Sequence, residues 1–150
     1  MTAHHAPAFA TIMLLTGVGI PIMAALNGGL GTRLGSPMAA SVILFGVATV
    51  IALAAAFVTG EAALRTPPAM PFYYYLGGAF VAFYVISVTF IAPRFGVGNA
   101  IFFVLLDQLV SAAVIDHFGL FGAVRFPING ARIAGLLLMV AGVYLARRTA

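Results

Sequence analysis

The stretch PMAASVILFGVATVIALAAAFVT, Pro37–Thr59, runs for 23 residues without a charge. At 1.5 Å of rise per residue, a helix of this length spans about 35 Å, enough to cross the ~30 Å hydrocarbon core of a bilayer. A helix of a water-soluble domain would keep one charged face, and this segment has none. The whole 150-residue chain agrees, being 63% hydrophobic and 7% charged, with a mean hydropathy of +1.16.

Working outward, four more apolar runs cover residues 9–30, 72–92, 98–117 and 131–146. The pattern predicts an all-α integral membrane protein with five transmembrane helices in a single transmembrane domain, residues 1–150. The breaks GTRLGS, GEAALRTPPAMP, PRFGV and FGLFGAVRFPING hold the turn-forming residues and, apart from Asp107, the charged ones cluster around them. Such short connections make consecutive helices antiparallel neighbours. The amino terminus lacks the basic segment of a secretion signal, so the first run is expected to be retained as a span.

There is no cysteine, hence neither a disulfide framework nor a thiolate metal site. The net charge is +4, but the seven basic residues are all Arg and lie in separate breaks, which fits phospholipid headgroups better than nucleic acid. An odd number of spans puts the termini on opposite sides. Arg65, Arg125 and Arg132 then fall on the side of the amino terminus, and Arg33, Arg94, Arg147 and Arg148 on the other. That near balance gives the positive-inside rule nothing to choose by. Either the chain inserts both ways and pairs with an inverted copy of itself, or a small bias suffices. An odd-span chain without an internal repeat could also be half of an inverted-repeat transporter, which a homodimer would complete.

Asp107, in VLLDQLVS, is the one charge deep inside a span. A central Asp costs roughly 2.5–3.5 kcal/mol on insertion scales, and ionisable groups at that depth usually face a wet cavity or a partner, which makes Asp107 a candidate substrate or proton carrier. The alternative is a protonated carboxyl bonding between helices. Ser111, one turn on, shares its face, and Gln108 is one position round. In GIPIMAALNGGLG, Pro21 and the glycines Gly28, Gly29 and Gly31 predict a first helix broken or kinked near a substrate, with Asn27 contacting it; the alternative makes Asn27 and the glycines a helix C-terminal cap. Tyr84, with Phe80, Phe83 and Ser87, offers an aromatic wall for an organic cation, or ordinary packing. Tyr73, Tyr74 and Tyr75 read as an interfacial belt.

At the end of the fourth run, Asp116 opposes the helix dipole and calls for a cation, so Asp116, His117, Arg125 and Arg132 are read as a structural ion-pair group. His4 and His5 stand near the terminus without a third ligand, so no metal site is expected. In the last run Gly135 and Gly142, extended by Ala131 and Ala146, form a small-residue stripe suited to close helix approach and to a dimer interface. No nucleophile–base pairing and no phosphate-cradling loop is present, so neither an enzyme nor a bound cofactor is expected.

The ordered strings NGGLGTRLGSPMAASVILFGV, GGAFVAFYVISVTFIAPRFGVGNA and DQLVSAAVIDHFGLFG resemble the five-span, half-size YdcZ-like branch of the drug/metabolite transporter superfamily, over nearly the whole chain. GLLLMVAGV is similar to the dimer-forming motif of the small multidrug resistance transporters. The resemblance implies a multi-pass bacterial inner-membrane protein whose two inverted copies enclose a central site. By position, Asn27, Tyr84, Gln108, Asp116 and His117 match the family's recurrent polar positions, whereas Asp107 departs from the pattern. The expected function is small-molecule transport by alternating access, with an organic cation as substrate and protons as coupling ion. A dual-topology ion channel and a non-transporting scaffold are the other readings.

Overall fold

The fold is that of a computed structural model, which describes residues 6–60 and 69–147, with side chains described for 9–60 and 69–146. His4, His5, Arg65 and Arg148 lie outside the described residues, as does the side chain of Arg147. Among the described residues all regular structure is helical. There are five α-helices: α1 (Ala6–Leu34), α2 (Pro37–Thr59), α3 (Gly77–Phe95), α4 (Val97–Phe118) and α5 (Gly130–Arg147). Two short 3-10 helices, Phe72–Leu76 and Leu120–Gly122, precede α3 and follow α4.

The ends of α2 follow from local chemistry. Gly35, at φ 64°, takes the left-handed conformation that reverses the chain after α1, and the Ser36 amide donates back to the Gly31 carbonyl at 3.0 Å. Ser36 then caps α2, its hydroxyl accepting the Ala39 amide at 3.1 Å, while Pro37 fills the first helical position, where a missing N–H costs nothing. Gly60, at φ 68°, closes the other end.

Helix α1 corrects two expectations. It is not broken at Pro21, because proline deletes only one helical hydrogen bond and the helix continues on both sides to Leu34. The glycines therefore lie inside the helix and do not form a terminal cap. Two of them serve contact: a Cβ on Gly28 would stand 3.1 Å from the Pro93 ring, and one on Gly31 would stand 3.1 Å from the Thr89 methyl and 3.2 Å from the Pro37 Cα. Helix α3 likewise runs through its own proline, Pro93, to Phe95.

Four helices, α1 to α4 with the short turn leading into α3, are long and apolar enough to cross a membrane. The apolar part of α5, Gly130–Ala146, is shorter. At 17 residues it reaches about 26 Å, a little under the hydrocarbon thickness.

The contacts divide the chain into two units, Met1–Val97 and Gly98–Ala150. In the first, α1 packs on both α2 and α3, which also touch each other. Apart from Asn27, the buried side chains are small or β-branched: Ala24, Ala40, Ser41, Val85, Val88, Thr89 and Ala92. Bilayer helices gain no hydrophobic energy from packing, so close van der Waals approach through small side chains holds them together. This burial is concentrated at the end of the unit where α1 turns into α2. The early part of α1 and the late part of α2 are exposed.

In the second unit, the bodies of α4 and α5 do not pack on one another, and the segment between them makes the connection. That segment turns back through three left-handed residues, Gly119, Phe121 and Gly122. Phe121, at φ 56°, is a conformation rarely taken by a residue with a bulky side chain.

Gly31→Leu is expected to destabilise the first unit by about 1–3 kcal/mol through overpacking. Gly29→Leu, where a Cβ meets nothing within 4 Å, is the control. Thermal unfolding in detergent, compared for the two variants, checks this.

Candidate functional site

Asp107 and Gln108 stand at the middle of α4, Asp107 being the eleventh of its 22 residues. Asp107, Gln108 and Ser111 are all exposed on the single chain, and none of their side chains bonds to another described residue. Apolar exposed neighbours, Phe103, Leu105 and Val110, surround them on the same helix. The three groups together offer a carboxyl, an amide and a hydroxyl within about one helical turn. Such a set can hold a cation, accept a proton and hydrogen-bond a polar ligand.

Asn27 has a different setting. It is 4% exposed, and its amide donates to the Thr89 hydroxyl at 2.5 Å. Thr89 in turn donates to the Val85 carbonyl, one turn back on α3, at 2.7 Å. The pair thus ties α1 to α3 through a buried chain of hydrogen bonds, beside the close contacts of Gly28 and Gly31. Asn27 also borders an apolar groove of about 560 Å³ between α1 and α2, with Ile22, Leu26, Ile43 and Val47 among its walls.

Thr89 was not singled out in the sequence. Its signal was present but faint: a hydroxyl placed four residues before the proline of PRFG on a mostly apolar helix. Thr89 further lines a smaller cavity of about 350 Å³ at the α1–α2 turn, together with Gly31, Thr32, Pro37, Pro93 and Arg94. The Arg94 guanidinium lies 3.9 Å over the Phe90 ring and donates to the Phe90 carbonyl.

The Tyr84 hydroxyl is buried without a hydrogen-bond partner among the described residues, although Phe80 and Phe83 beside it are exposed. Asn27 and Tyr84 belong to the first unit, and Asp107, Gln108 and Ser111 to the second.

At the carboxyl end of α4 the structure brings several polar residues together. Arg132 pairs with Asp116 at 2.7 Å, each side chain about one-third exposed (33% and 32%). Arg125 donates from Nε to the His117 carbonyl at 3.1 Å, which satisfies one of the helix-terminal carbonyls. His117 accepts the Ile128 amide at Nδ1, at 3.0 Å. Asn129 caps α5 by accepting the Arg132 amide at 2.8 Å. Along α5, Ala131, Gly135, Gly142 and Ala146 are all exposed, and a Cβ added at either glycine would meet nothing within 4 Å.

With this geometry in view, residues 8–145 match the family described as "Putative inner membrane exporter, YdcZ". The chain belongs to the YdcZ family. No curated protein and no solved structure matches it. Membership makes it a multi-pass inner-membrane protein and a membrane transporter of the drug/metabolite type, in keeping with its apolar helices. A transporter family also points away from an enzyme. Within the YdcZ chain, the Asn27–Thr89 bond is a buried side-chain tie between two spanning helices.

A double-mutant cycle of Asn27→Ala and Thr89→Val is expected to give a coupling of about 0.5–2 kcal/mol in thermal or denaturant unfolding, the range known for hydrogen bonds between membrane helices. Simple additivity of the two variants would count against the bond as an energetic tie.

Proposed function

We propose that this YdcZ-family chain is an exporter of a small organic cation, working as an antiparallel homodimer by alternating access. Both units form one transmembrane domain, and α5 crosses as a fifth span with slight local thinning of the bilayer. Asp107, Gln108 and Ser111 of each copy border a central cavity closed by the second copy. Asp107 holds either the cation or a proton, so that protons moving inward release substrate outward.

One observation carries this reading. A carboxyl, an amide and a hydroxyl sit uncovered at the middle of a bilayer-length helix. Leaving Asp107 against lipid costs roughly 2.5–3.5 kcal/mol, and a water-filled cavity shared with another protein surface removes that cost. The near balance of arginines on the two sides supports an inverted second copy, and the exposed small-residue stripe of α5 supplies a face for it. Asn27 takes a structural role in this scheme, since its amide is already committed to Thr89.

In proteoliposomes with a pH gradient, the wild-type chain is expected to drive saturable, exchange-stimulated cation flux. Asp107→Asn should lower that flux at least about tenfold, the order of effect of losing one charge-assisted contact of 1.5–3 kcal/mol, and should remove its pH dependence. Flux that keeps its pH dependence in Asp107→Asn sinks the coupling scheme, and a large unsaturable conductance would indicate a channel.

Orientation has its own measurement. The chain has no cysteine, so a single cysteine at either terminus can be labelled without background. Dual insertion predicts that an impermeant reagent reaches comparable fractions from each side of the membrane. Labelling from one side alone rules out the inverted pair.

A further inference from the structure

Beyond the transport site, the junction between α4 and α5 contains a device that the proposed function does not use. The two helix bodies do not pack on each other, so the direction of α5 relative to α4 is set by the residues that join them. Four ties do this. The Phe126 amide donates to the Asp116 carbonyl at 2.9 Å, Arg125 to the His117 carbonyl, Ile128 to the His117 ring, and Arg132 pairs with the Asp116 carboxylate. They fold residues 123–128 back along the last turn of α4 and place the start of α5 beside Asp116.

One of these ties is conditional on protonation. His117 accepts the Ile128 N–H at Nδ1, which requires a neutral ring with its proton on Nε2. A proton added at Nδ1 turns the acceptor into a donor facing another donor, and the bond is lost. Imidazole is the side chain whose charge changes between pH 5 and 8. The charged groups of this junction are Asp116 on α4 and Arg132 on α5, paired with each other, and Arg125 in the connecting segment, which donates to the His117 carbonyl. The proton therefore removes the Ile128 tie.

We infer that Asp116, His117, Ile128 and Arg132 form a proton-sensitive latch: closed with His117 neutral, it fixes the direction of α5, and protonation of His117 frees α5 to swing. Only a neutral ring makes the latching bond, so the closed form is favoured at high pH and lost when acid protonates the ring. The device is separate from Asp107 and needs neither transport nor a known substrate.

The test is a distance measurement between spin labels at Ala112→Cys on α4 and Leu137→Cys on α5, in lipid nanodiscs, with labelled chain diluted into excess unlabelled chain so that distances within one copy dominate. The wild type is expected to give a narrow distribution at pH 8, with its main peak displaced by several ångströms or clearly broadened at pH 5. His117→Asn, whose side-chain oxygen accepts the Ile128 amide but does not titrate, should keep the narrow distribution at both pH values. His117→Phe should give the open distribution at both. Asp107→Asn, which leaves the latch intact, should respond as the wild type does.

A wild-type distance that is the same at both pH values overturns the latch. So does a pH response that persists in His117→Asn, or one that disappears in Asp107→Asn. Replacing His4 and His5 by alanine leaves His117 the sole histidine. Its ring nitrogens, followed by ¹⁵N NMR, must then show Nδ1 unprotonated at pH 8 and protonated over the range in which the distance changes; any other order of events also overturns the latch.

Discussion

Hydrocarbon offers no hydrogen bonds, and most polar groups along these helices are arranged to need nothing from it. Thr16 donates to Ile12, Thr32 to Gly28, Ser41 to Pro37, Thr59 to Ala55 and Thr89 to Val85, each hydroxyl bonding one turn back along its own helix. Asn27 has an amide too polar for that solution and spends it on Thr89, across the α1–α3 contact. The glycines exist at that contact because a bond this short between helices needs the backbones close. Proline, glycine, threonine and asparagine thus serve one requirement, and the rest of the first unit is built around their meeting point.

Against this background Asp107, Gln108 and Ser111 stand out. They sit mid-helix, exposed, with no side-chain bond to any described residue. These two polar groupings therefore differ in kind. Around Asn27 the polar atoms are spent on holding helices together, and on α4 they are kept available. The family to which the chain belongs moves molecules across the inner membrane, and available polar groups are what such work requires.

The four long helices could be read from the sequence because bilayer thickness imposes a length, and length survives ignorance of packing. The Pro37 start of α2 could be read as well, because the uncharged run begins there. The role of NGGLG could not. A glycine that ends a helix and a glycine that admits a neighbour both lack a Cβ, and only the position of Thr89 and Pro93 in space tells them apart. Pro21 posed the same problem, for its cost is one hydrogen bond whether or not the helix goes on. The pairing of Asp116 with Arg132 rather than Arg125 also depended on a turn through Gly119, Phe121 and Gly122, and a left-handed phenylalanine is not something composition announces. At the midpoint of α4, the sequence located Asp107 correctly along the helix, while its exposure depends on which neighbours surround it.

The uneven burial of the first unit has a mechanical consequence. Its three helices are clamped where α1 turns into α2, by Ala24, Asn27, Ala40, Ser41, Thr89 and Ala92, and are bare toward the opposite membrane surface. A body fixed at one end behaves as a lever. Any small rotation about the Asn27–Thr89 tie would be multiplied along the length of each helix. The far tips travel the greatest distance at the least cost in broken contacts, and the stiffness of the unit is graded from one face of the membrane to the other.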